Sequence, residues 1–169
     1  MACYDLTSPA VLEQPAYTRL RERRSNRETA VMSRIPLLVR RIYRSLGEPR
    51  VSDEPVPRDA PFVLAVAMTP PEEKVDDFNA WYAEEHMPML LKVPGWLRIR
   101  RFELLDGQGP RYLALHELAN LDVFQIPDYK ASISTPWRGR IHEYILEWER
   151  AIYELFRTFP RPHWEGSRS

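Results

Sequence analysis

The sequence predicts an α+β fold whose elements run β-α-β-β-α-β, preceded by a partial copy of its own second half. Three observations carry this. A continuous apolar run at 62–68 is followed by a stretch with helical spacing. Two further strand-like stretches, 96–105 and 111–118, flank the turn cluster Asp106-Gly-Gln-Gly-Pro110 and read as a hairpin. Finally, residues 2–18 align without a gap on 114–130, with five identities, among them Val11 with Val123, Pro15 with Pro127 and Tyr17 with Tyr129.

Taken in order, residues 62–68 are a buried strand, ended by Pro70-Pro71. Helix one spans about 74–87, with Val75, Phe78, Tyr82 and Glu85 at helical spacing and Trp81 widening the apolar stripe. Asp76, Asp77 and Glu84 supply its solvated side. Pro88 is expected to stop it. That places His86 in the last turn, where open carbonyls favour its protonated form, either as a proton-transfer group or as a capping histidine. Residues 90–95 connect to the hairpin. A second helical region starts at 120–122 and is broken by Pro127 and Pro136. The fourth strand falls around 151–159, although the spacing of Ile141, Ile145, Trp148 and Ile152 also suits a helix. The order is the split βαβ, or ferredoxin-like, arrangement.

The repeat defines the domains. After a two-residue shift, Ile35, Arg40, Ile42 and Tyr43 meet Ile145, Arg150, Ile152 and Tyr153. Residues 1–48 are therefore an incomplete half-module, strand-helix-strand. A Pro-rich linker at 49–61 is expected to be exposed, 62–160 is the complete module, and 161–169 is a tail.

Composition narrows the function. The 169 residues carry 24 basic and 24 acidic side chains, which argues against a nucleic-acid or anionic-membrane surface. The run Arg19-Leu-Arg-Glu-Arg-Arg24 reads as a solvated helix face. No apolar run is long enough for a bilayer, and the N-terminus lacks a signal-peptide pattern. Cys3, the single cysteine, excludes an internal disulfide, fits a reducing, cytoplasmic setting and reads as a small buried residue. The scattered histidines show no metal spacing, and no glycine-rich phosphate loop occurs. No cofactor is expected.

Phe78, Trp81, Tyr82, Glu85, His86 and Pro88 form the pattern F-x-x-W-Y-x-x-E-H-x-P, followed by Val-Pro-Gly-Trp and an Arg-rich strand. This resembles the EthD-like branch of the dimeric α+β barrel superfamily, in particular fungal proteins with two modules in tandem. The resemblance implies a four-stranded antiparallel sheet with two helices on one face, and a barrel closed against a second sheet. It also implies a homodimer with a small-molecule substrate. The inner sheet face, with Leu64, Val66, Phe102 and Ala114, is expected to be covered by the second chain. Resembling proteins include cofactor-independent cyclases, condensing enzymes, dehydratases, isomerases and monooxygenases.

The candidate chemistry follows. His86 is the expected proton-transfer group on a polyketide-like or aromatic-forming β-dicarbonyl compound, giving cyclisation, dehydration or isomerisation. Tyr82, or an arginine of the second strand, Arg98 or Arg100, would hold the enolate oxygen. Trp81, Trp96 and Phe102 would form an aromatic wall. His116 is a further proton-transfer candidate if it faces inward. His142 and His163 read as surface residues. The alternatives are a non-catalytic binding or assembly protein and a cofactor-free monooxygenase.

Overall fold

The computed structural model describes residues 1–158, so His163 and the end of the expected fourth strand lie outside the described residues. The described chain forms two compact units, Met1–Arg44 with Leu104–Gly109, and Ser45–Glu103 with residues 110–158.

In the first unit a 3-10 turn, Pro9–Glu13, precedes α1 (Pro15–Glu22) and α2 (Asn26–Met32). Proline opens α1, where its missing N–H costs nothing. Ser25 caps α2, accepting from the Glu28 N–H at 3.1 Å. None of these elements buries a residue. The strand expected near residues 2–7 is not formed. Its counterpart in the second unit has a paired strand on either side, and backbone groups left without such partners are better satisfied by water. Cys3 is exposed, not buried. Strand β1 (Ile42–Ser45) follows, and Arg40 pairs with Asp106 at 3.1 Å. The succession 3-10, α, α, β recurs in the second unit, from Asp122 to Glu154.

The second unit holds β2 (Arg50–Val51), β3 (Phe62–Thr69), β4 (Trp96–Asp106, its tip in the first unit), β5 (Tyr112–Leu118) and β6 (Glu147–Glu154). Strand order is β4-β5-β3-β6, with β2 on the outer side of β4. The pairings are antiparallel. Each crossover skips one strand, which is the expected ferredoxin-like arrangement. The fourth strand starts earlier than expected, at Glu147, because the helical region consists of α5 (Pro127–Ser132) and α6 (Pro136–Tyr144) and ends at Tyr144. The linker does more than span. It carries β2, Ser52 N–H donates to the Leu97 carbonyl at 3.0 Å, and Glu54 accepts from the Gly95 N–H at 3.0 Å. Most of its residues are exposed, but Ala60 is buried.

Helix one does not stop at Pro88. It runs as α3 (Val75–Trp81), a π turn (Tyr82–His86) and α4 (Met87–Leu90). A proline inside an α-helix cannot donate to the carbonyl four residues back and crowds it. The wider turn just upstream avoids this conflict, and the Met87 N–H donates to the Tyr82 carbonyl five residues back.

Register decides which side chains meet. Leu64 and Ile99 flank His116, Val66 and Arg101 flank Ala114, and Met68 and Glu103 flank Tyr112. Leu64, Ile99, Ala114 and Tyr112 lie in one buried cluster with Phe78, Trp81, Leu90, Val123 and Ile141 from the helical segments. Arg98, Arg100 and Phe102 pair with Glu117, Leu115 and Leu113, on the opposite face. The expected inner face is thus split: Leu64, Val66 and Ala114 lie under the helices, and Phe102 does not.

Candidate functional site

The π turn shapes the site. At 3.6 residues per turn, positions five apart fall on different helix faces. Across the wider turn Trp81 and His86 come to the same side, and their rings stack at 4.3 Å and 22°. Tyr82 meets the His86 ring edge-on at 5.4 Å. Burial of His86 pushes its pKa well below the usual histidine range, helped by neighbouring His116, Arg138 and His142. This corrects the expectation of a cationic, helix-ending histidine. His86 lies inside a continuing helix, out of water, and is neutral.

His116 stands on β5 beneath the helices, 1% exposed. Trp96 Nε1 donates to its Nδ1 at 3.3 Å, which leaves the His116 proton on Nε2. Burial, with Arg101 and Arg150 nearby, lowers its pKa to about 3. Trp96 is stacked on Tyr129 at 5.7 Å.

Helix α6 supplies the opposite wall, held to helix one at two points. Asp77 accepts from Trp137 Nε1 and from the Tyr144 hydroxyl, both at 3.0 Å. Glu85 accepts from the Thr135 hydroxyl at 2.6 Å, and Thr135 caps α6 by accepting from the Arg138 N–H. Arg138, Ile141 and His142 then share a face at helical spacing. His142 is half-buried rather than superficial, and burial lowers its pKa.

Between sheet and helices lies one cavity of about 50 Å³. Its polar lining includes His86, His116, His142, Arg138 and Arg150, and its aromatic walls are Trp81, Trp96, Tyr129 and Trp148. Trp81 Nε1, His86 Nδ1 and His142 Nε2 are buried and have no hydrogen-bond partner among the described residues. A buried group without a partner costs about 1–3 kcal/mol, so three at one cavity mark a place where a ligand's polar atoms fit.

Of the residues singled out in the sequence, Trp81, His86, Trp96 and His116 therefore come together. Tyr82 is buried behind His86, where desolvation raises its pKa, and it does not line the cavity. Arg101 lies over its ring at 4.0 Å. Arg98, Arg100 and Phe102 lie on the other sheet face, where both arginines are paired with Glu117. Sequence reasoning missed Arg138 and Arg150 and misplaced His142. The signals were the i, i+3, i+4 spacing on α6 and the alternation Trp148, Arg150, Ile152 on β6. Among the described residues no group of three or more His, Cys, Asp or Glu is placed to hold a metal ion, and no helix is long and apolar enough to cross a membrane.

No family model matches the chain, and no curated protein matches it. Two solved structures are similar in part. One is an anthrone oxidase-like protein, 16% identical with TM-score 0.47, over 66% of this chain and 53% of that one. The other is a candidate monooxygenase from Lactobacillus acidophilus NCFM, 15% identical with TM-score 0.40, over 56% and 44%. The chain thus spans about half the length of the solved chains it resembles. At these TM-scores the likenesses carry neither function nor fold, and the fold rests on the strand order and register above.

Proposed function

We propose that this chain is a cofactor-independent enzyme that moves a proton next to a carbonyl of a polyketide-like or aromatic-forming β-dicarbonyl compound. The observation that supports this is the neutral His86, stacked on Trp81, with Nδ1 buried and unpartnered at a cavity. A neutral imidazole can accept a proton at once. In the step proposed, the C–H bond breaks, its electron pair passes into the enolate, and the proton moves to His86. Its return at another atom gives isomerisation, or assists loss of water or ring closure. Trp81 and Trp96 would flank a planar substrate. Tyr82 would act by supporting the His86 ring and not by touching substrate.

Deuterium exchange from solvent into C1 of 2-tetralone, a planar ketone with one activated methylene, tests the step without the natural substrate. The chain should accelerate exchange, and His86→Gln should remove at least about a hundredfold of that acceleration. Equal rates in both proteins would remove His86 from the mechanism. Oxygen uptake during the same reaction would favour the monooxygenase reading.

The EthD-like kinship, the half-module reading of 1–48 and a homodimer complete the proposal. Supporting the dimer is the one-sided packing of the helices, whose buried contacts all lie on the His116 face. Sedimentation equilibrium at micromolar concentration should give twice the 20.0 kDa chain mass, and a soluble monomer would refute it.

A further inference from the structure

Resting on the reading of this cavity as the functional site, we infer that its ligand is a carboxylate-bearing aromatic compound whose anionic group is held between Arg138 and Arg150.

Charge is the first argument. Among the described residues no aspartate or glutamate lines the cavity, while two guanidinium groups do. Four arginines on or next to β4 and β5 are provided for. Arg98 and Arg100 have Glu117, and Arg111 has Glu72 and Glu103. Arg101 donates to Asn79 at 2.8 Å and lies over Tyr82. Arg138 donates only to the Ile133 carbonyl, at 2.9 Å, and Arg150 only rests over the Phe124 ring at 5.3 Å. Neither has a carboxylate partner among the described residues. The three histidines at the cavity have lowered pKa values and add no positive charge near neutral pH. The cavity is thus a doubly cationic place with no counter-charge of its own, and a forked guanidinium matches a carboxylate in shape as well as charge.

Position is the second argument. Arg150 stands on the helix-facing side of β6 between Trp148 and Ile152, where an apolar residue would continue the stripe. In the first unit its sequence counterpart Arg40 has an acidic partner, Asp106. The aromatic walls set the rest of the ligand's character. Trp81, Trp96 and Tyr129 are flat surfaces suited to a ring. At about 50 Å³ the cavity holds little more than one or two waters. A ring can enter only if the rim opens, and the rim is Trp148, 53% exposed, with the exposed Arg150 on an edge strand. Trp148 meets only the edge of the His142 ring, at 5.4 Å, among the ring contacts of the described residues.

Benzoate and its neutral isostere benzamide separate charge from shape. Each is titrated into the full chain, with calorimetry for affinity and ¹⁵N NMR for the indole N–H of Trp81. Benzoate should bind about ten- to a hundredfold more tightly than benzamide and shift the Trp81 signal. Arg138→Gln and Arg150→Gln together should bring benzoate down to the affinity of benzamide. A thermal melt matching the parent shows that the double variant is folded, and each single variant serves as a second test. Equal affinities for the two probes, no binding of either, or a benzoate preference that survives in the folded variants would overturn the inference. His86→Gln should leave the benzoate preference in place, so loss of exchange activity and loss of anion preference are separate results.

Discussion

Lowering the pH from 6.5 to 5 should destabilise the chain by at least about 1 kcal/mol per pH unit, because the unfolded chain takes up protons that the buried His116 and His86 of the folded chain do not. The sign follows from where the protons bind. Both His86 and His116 have folded pKa values below the unfolded value near 6.5, His116 at about 3. Between those limits the unfolded chain binds more protons than the folded one. Stability is therefore fully present above pH 6.5 and drains away as pH falls toward the folded values. Each group contributes about 1.4 kcal/mol per unit within its window. Carboxylate titration takes over at lower pH, so urea midpoints at pH 7, 6.5, 6, 5.5 and 5 isolate the effect. His116→Gln should take about 1 kcal/mol per unit off the slope, whatever it does to stability at pH 7. A slope that is flat in the parent, or unchanged in the variant, would mean that these rings are not buried as neutral groups.

The second large effect concerns the support of the site. Phe78→Ala should cost about 3–5 kcal/mol. Phe78 is 0% exposed and sits among three rings, with centroids 6.1 Å from Trp81, 5.1 Å from Tyr82 and 5.4 Å from Tyr112. The truncation opens a void under the π turn and removes a ring beneath the Arg101 guanidinium, 5.5 Å away. Domains of this size have about 5–15 kcal/mol in total, so denaturant unfolding should show a fall of roughly a fifth or more. A loss under about 1.5 kcal/mol would mean that α3 is not seated as described.

Much of this was written in the sequence, and the misses have physical causes. Five of the six residues of the F-x-x-W-Y-x-x-E-H-x-P pattern have a visible task. Phe78, Trp81 and Tyr82 fill the core, Glu85 anchors Thr135, and His86 meets the cavity. The hairpin and the element order were legible because apolar runs and glycine-rich turns are local signals. Pro88 misled, since a proline ends most helices and a π turn has no sequence mark of its own. The error about His86's charge followed directly, because a helix-end histidine and a buried one shift in opposite directions. Arg138 and Arg150 were overlooked, and His142 was placed at the surface, because polar residues read as solvated when the element carrying them is misplaced. With β6 set at 147–154, Trp148, Arg150 and Ile152 fall on one face. With a helix drawn through Ile145 and Trp148, they do not. Likewise Arg98 and Arg100 looked like pocket residues until the register paired them with Glu117 and Leu115.

The central claim is that His86 works as a neutral, desolvated base, and the pH dependence of 2-tetralone exchange tests it most directly. Second-order rate constants measured from pH 8 to pH 5.5 should stay level through 6.5, because the group that must be unprotonated keeps its lone pair well below the ordinary histidine range. In His86→Gln the enzymatic component should be absent across the whole range. An acid limb centred at 6.5 or above, or a profile that His86→Gln leaves intact, would contradict the account.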